Sequence, residues 1–150
     1  MRFLPALLFV LPILAATSAS HGQSTGPARA NAKSQVPRID CAMATATPEL
    51  NHCAEIRLKK ADSELAAALE KARAQITKRA GAKPYDPASW STELNAAQKA
   101  WSTYREADCK GLVPHEWQGG TGTALAVLEC MAQMTEARAF ELTERYAEGR

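Results

Sequence analysis

Apolar and small residues recur through the middle of the chain at helical spacing. From Leu50 they fall at Ala54, Leu58, Ala61, Leu65, Leu69, Ala72 and Ile76, in steps of 4, 4, 3, 4, 4, 3 and 4. Steps of three and four keep residues on one side of an α-helix, so the run predicts one long amphipathic helix. Lys59, Lys60, Glu64, Glu70 and Lys71 lie off the stripe, as solvated positions should. Thr47 is placed to cap this helix, Pro48 suits its first position, and Glu49 complements the positive end of the helix dipole. Gly81 and Lys83-Pro84 predict where it has ended.

Asp86-Pro87 restarts the pattern, with Asp86 as cap and Pro87 in the first turn. Leu94, Ala97, Trp101, Tyr104 and Asp108 then share one side, and the second helix is expected to run to about Cys109. Gly111, Pro114, Gly119, Gly120 and Gly122 predict a loop between Lys110 and Thr121. A third helix is expected from near Thr123, burying Leu128, Met131, Thr135, Ala139, Leu142 and Tyr146. No segment alternates apolar and polar residues as a strand would, and the many alanines between 54 and 107 support helix. Short connections between long helices place neighbours antiparallel. The expected fold is all-α, an antiparallel three-helix bundle in up-down-up order. Cys53, Cys109 and Cys130 then fall at one pole, with Cys41 tethered just before the first helix.

Upstream, residues 1–19 have the parts of a signal peptide. Arg2 is the positive start, Phe3 to Leu14 is apolar, and small residues from Ala15 to Ala19 precede a cleavage point after Ala19 or Ser20. The apolar run falls short of the roughly 20 residues that a membrane span needs. No cysteine stands at the cleavage region to carry a lipid anchor. Residues 20–38 are rich in Gly, Ser and Pro and read as a flexible leader. The helical domain is expected over residues 39–148, and export places it in the periplasm or outside the cell.

Charge narrows the partners. The 150-residue chain carries 18 basic and 16 acidic residues, and Arg2 alone of these lies within residues 1–19, so the mature protein is close to neutral. It lacks the basic stripe of a nucleic-acid binder. It also lacks the G-x-S-x-G elbow, the phosphate-binding glycine loop and the H-E-x-x-H motif, and it reads as a binding protein rather than an enzyme. No cofactor is implied.

Four cysteines allow three pairings, and sequence alone leaves all three open. Cys41–Cys53 and Cys109–Cys130 are favoured because each closes a short local loop. Either bond contributes on the order of 3 kcal/mol in the chain-entropy model. A zinc site using His52 or His115 is disfavoured, because the spacings contain no CxxC knuckle and an exported chain oxidises its thiols.

Two sets of residues are candidates for function. Trp101, Tyr104, Arg105 and Asp108 share the inner side of the second helix. Their spacing reads first as structural core with an Arg105–Asp108 ion pair, and Arg138 of the third helix as a structural partner. The loop residues His115, Glu116, Trp117 and Gln118 are the candidate contact surface, because a loop closed by a disulfide has little ordering entropy left to lose on binding. The competing reading of Trp117 is that it folds back over the disulfide.

The assembled blocks resemble a known family. They are Asp40-Cys41, Glu49-Leu50-Asn51-His52-Cys53-Ala54, Ala61-Asp62-Ser63-Glu64-Leu65, Gln98-Lys99-Ala100-Trp101 leading into Arg105-Glu106-Ala107-Asp108-Cys109, Gly119-Gly120-Thr121, Cys130, Thr135 with Arg138, and Leu142. Over residues 40–142 the chain is similar to the LprI-like lysozyme-inhibitor family of small exported helical proteins. It departs from the family at Leu58, where an aromatic is common, and at Ala66, where asparagine is common, and it lacks the lipid anchor of some members. The resemblance implies a protein partner, lysozyme, inhibited by binding. With that partner, the mechanism expected is steric, with the 110–121 loop occluding the sugar cleft. The alternative is an envelope interaction or structural module with another partner.

Overall fold

The computed structural model describes residues 39–148. The expected signal peptide (1–19) and leader (20–38) lie outside the described residues. Within them the protein is entirely helical, in the order α1 (Thr47–Thr77), α2 (Pro87–Glu106), a π-helical segment (Ala107–Leu112), α3 (Val113–Glu116) and α4 (Thr123–Arg145).

Each start has a local cause. At α1 the cap position falls on Ala46, one residue before the expected Thr47, and an alanine side chain cannot accept a hydrogen bond. Glu49 compensates: its Oε2 accepts the backbone N–H groups of Thr45 and Ala46, both at 3.3 Å. At α2, Asp86 caps as expected, accepting the Ser89 N–H at 2.8 Å with Pro87 in the first turn. Gly122 stands at the cap position of α4.

The stripes predicted on α1 and α4 are the buried ones. Ala54, Ala61, Leu65, Ala72 and Ile76 of α1 are buried, as are Met131, Thr135, Ala139, Leu142 and Tyr146 on and just beyond α4. Leu65, Ala68, Ala72, Ile76, Leu94, Ala139, Leu142 and Tyr146 form the main core, with Leu69 and Trp101 packed against it. So many alanines at the contact let the helix axes approach closely, and the few large side chains, Ile76 and Leu142, sit fully enclosed.

Polar contacts between helices fix their relative order. Early α1 meets early α4, where Arg57 pairs with Glu129 and Glu136, and the end of α1 meets the end of the chain, where Gln75 reaches Glu148. Arg105, near the end of α2, bonds Asp62 of α1 and Thr135 of α4, and Trp90, near its start, bonds Tyr146.

Two expectations are corrected. The segment 110–116 is not loop: the helix of α2 continues as a π-helical turn through Gly111 and re-forms as α3. Pro114 falls in the first turn of α3, where the π-helical hydrogen-bond pattern gives way to the α-helical one. Tyr104 is not core; it is 59% exposed on the outer side of α2.

Candidate functional site

The expected contact residues sit on a small knot of chain between α2 and α4. A disulfide and a sulfur contact to α4 hold it. Cys109, fully buried inside the π-helical segment, is joined to Cys130 of α4 with Cα atoms 5.6 Å apart. Its sulfur also touches Met134 Sδ at 3.4 Å. The π-helical turn carries one extra residue per turn, so the chain shifts in register where the cysteine must face α4.

Beyond this anchor the backbone bonds to itself. The N–H groups of Trp117, Gln118 and Gly119 donate to the carbonyls of Val113, His115 and Pro114, and those of Gly120 and Thr123 donate to the carbonyls of Trp117 and Gly120. Gln118 (φ 50°) and Gly119 (φ 66°) take the left-handed conformation that reverses the chain. The knot therefore spends its backbone polar groups internally and presents side chains outward.

His115, Glu116, Trp117 and Gln118 are all exposed. Among the described residues no side-chain hydrogen bond or ion pair engages them. Trp117 is half exposed. The other half of its ring lies on Gly122: a Cβ there would stand 2.4 Å from Trp117 Cζ3. The indole thus packs against the glycine that begins α4, which fixes its orientation and leaves much of the ring in water.

The second set of candidates is scattered. Trp101 is partly buried on the core, with the Arg105 guanidinium 5.1 Å from its ring centroid. Arg105 is a bolt between three helices. Its Nη1 donates to Thr135 Oγ1 (2.6 Å) on α4 and to Asp62 Oδ1 (3.1 Å) on α1, and Nη2 lies 3.6 Å from Glu106 Oε1. The Thr135 hydroxyl in turn donates a hydrogen bond to the Met131 carbonyl at 2.7 Å. Asp108, the expected partner of Arg105, is not among these contacts. Its carboxylate instead lies within 4.8 Å of the Cys109 and Cys130 sulfurs, which are bonded to each other and offer no thiolate to a metal. Arg138 does not join Arg105 either; it donates to Gln98 Oε1 (3.2 Å) and Glu141 Oε2 (2.7 Å).

Over residues 40–142 the sequence matches the family described as lysozyme inhibitor LprI. The chain belongs to the LprI family. It is also 36% identical over 118 residues to a Rhizobium meliloti (strain 1021) protein named "Uncharacterized protein R02472", covering 77% of this chain and 84% of that one. No solved structure matches it. The geometry explains which LprI blocks carried the resemblance. Trp101, Arg105 and Cys109 are the residues by which α2 is bolted and stapled to its neighbours, and Thr135 is the receiving hydroxyl. These blocks form the scaffold, and the exposed residues 115–118 lie between them, on the knot.

Sequence reasoning missed one cross-helix cluster. Arg57 of α1 binds Glu136 Oε1 and Oε2 of α4 at 2.8 and 2.7 Å and also pairs with Glu129. The hydrogen bond from Arg57 holds the Glu136 carboxyl below its ordinary range, and the same bond raises the guanidinium. The signal in the sequence is faint: Glu129 and Glu136 are seven residues apart, hence on one side of α4.

The family and the two disulfides place LprI relatives among extracytoplasmic proteins, because disulfides form and persist in oxidising compartments. Among the described residues no helix is long and apolar enough to cross a membrane.

Proposed function

We infer that this LprI-family protein is a periplasmic or secreted inhibitor that binds lysozyme and blocks its sugar cleft with the 113–122 knot. In this reading α1, α2 and α4 form an antiparallel three-helix bundle whose disulfide pole carries the knot. One observation carries the inference: His115, Glu116, Trp117 and Gln118 are consecutive, exposed and, among the described residues, unpaired on a backbone that is already ordered. Binding through such a surface freezes few rotamers and little main chain, so more of the contact energy appears as affinity. Trp117 is the anchor, since a large ring held on one face and open on the other buries much apolar area at small entropic cost. Lysozyme cleaves between two carboxyl groups in a groove shaped for sugar rings. A flat indole fills that shape, and His115, two residues away, supplies a donor to the carboxylates.

A lysozyme turbidity assay tests the reading. The oxidised wild-type protein should slow clearing of the cell-wall suspension, and the His115→Ala, Trp117→Ala double variant should be weaker by roughly tenfold or more. Undiminished inhibition by the double variant would remove the knot from the mechanism. Absence of inhibition by the wild type would remove lysozyme.

A further inference from the structure

The end of the protein remote from the disulfides carries a second concavity. Pro84, Tyr85, Ser89, Trp90 and Glu93 line about 520 Å³ of space where the α1–α2 connection enters α2. This lies within the size range of small-ligand sites. We propose that it is a binding site for a short, uncharged oligosaccharide.

Its walls are built rather than left over. Gly81 lets the connection close on itself: a Cβ there would meet the Tyr85 carbonyl oxygen at 2.7 Å. Ser89 Oγ donates to the Pro84 carbonyl at 2.6 Å, Asp86 accepts the Ser89 N–H, and the Tyr85 N–H donates to the Ala82 carbonyl. The Trp90 indole is held by an N–H bond to Tyr146 Oη (3.3 Å) and by the Arg79 guanidinium, 5.7 Å from its ring centroid. On this rigid turn two aromatic side chains still face water: Tyr85 is 84% exposed and Trp90 38%.

The polar groups select the ligand. Glu93 makes no hydrogen bond or ion pair among the described residues, so the concavity contains an unused acceptor that repels anions. Arg79 on Trp90 and Lys83 beside Pro84 oppose a cation. A neutral ligand that is a hydrogen-bond donor satisfies both conditions. A sugar ring has a face of C–H groups that covers an aromatic ring and an edge of hydroxyls that donate to a carboxylate. A proline-rich peptide would also cover the rings, but its backbone offers Glu93 acceptors in place of donors. The inference stands apart from lysozyme inhibition, which involves the other end of the molecule.

Isothermal titration of the oxidised protein, without lysozyme, with triacetylchitotriose and with maltotriose tests it. At least one should bind with a dissociation constant below about 10 mM. Tyr85→Ala and Glu93→Gln should each weaken binding roughly fivefold or more, since one removes a stacking ring and the other a charged acceptor. Both side chains are exposed, and circular dichroism should show both variants folded. Heat from neither sugar at that concentration would overturn the proposal. So would binding that neither variant weakens, or tighter binding of trilysine or of a sulfated trisaccharide.

Discussion

Cys41–Cys53 and Cys109–Cys130 span the same 5.6 Å between Cα atoms and both close short loops, with sequence separations of 12 and 21. Their surroundings differ. Cys41 is exposed, in a leading segment, residues 39–46, of mostly exposed side chains. Cys109 is fully buried and its bond joins two helices that the core already packs together. A disulfide stabilises by withholding freedom from the unfolded chain. Where the native state holds both ends in place anyway, that gain is kept in full. Where the tethered segment would fray without the bond, the folded state gains freedom too and most of the effect cancels. Loop length alone therefore does not set the stabilisation.

The largest test breaks the buried bond. The Cys109→Ala, Cys130→Ala variant should lose about 3 kcal/mol or more in denaturant unfolding. The paired Cys41→Ala, Cys53→Ala variant should lose under about 1 kcal/mol, because the freed segment has few contacts to give up. Equal losses would show that the leading segment is held by more than its disulfide.

Next in size is Arg105→Ala, expected to cost about 2–3 kcal/mol by the same measurement. It removes a largely enclosed charge that bonds Thr135 and Asp62 and covers Trp101. A loss as small as that of a surface pair would mean that the disulfide alone docks the end of α2. Gly122→Ala sharpens the comparison on the knot itself. The new methyl collides with the Trp117 ring, so the indole must swing away at a cost of about 1–2 kcal/mol, and its fluorescence should shift. An unchanged emission spectrum would show that the ring is not seated there.

The smallest effect concerns acid. The folded Glu136 carboxyl titrates below its ordinary value of 4.5 because Arg57 hydrogen-bonds it. A depressed carboxylate contributes stability that is present above its unfolded value and is lost as pH falls through the folded one. Both side chains are more than a third exposed, so solvent screening leaves no more than about 0.5 kcal/mol. Glu136→Gln should flatten that part of the stability–pH curve below pH 4.5 and nothing more.

Where sequence reading failed, it failed for tertiary reasons. Gly111 and Pro114 are local punctuation for a loop, yet the chain stays helical through both. The sulfur of Cys109 is pinned to α4, and the π-helical turn absorbs the register change that this demands. Tyr104 fits the periodic stripe of α2, but its ring faces solvent while Trp101 and Arg105 of the same stripe are partly buried. Arg105 and Asp108 stand at the spacing of a local ion pair, but Asp62 and Thr135 reach the guanidinium first, from helices far away in sequence. Residues 115–118 could be put forward for contact from their composition, but their exposure could not be read from it.

Local physics in the amino-acid order was enough to determine the three long helices, their start at Pro87 and near Thr123, and the buried stripes of α1 and α4. Periodicity, proline and capping chemistry act over a few residues and need no partner. The tertiary structure alone decided which carboxylate an arginine meets, which of three cysteine pairings forms, and which tryptophan faces water. Those outcomes depend on distances between segments that the chain brings together only when the core closes.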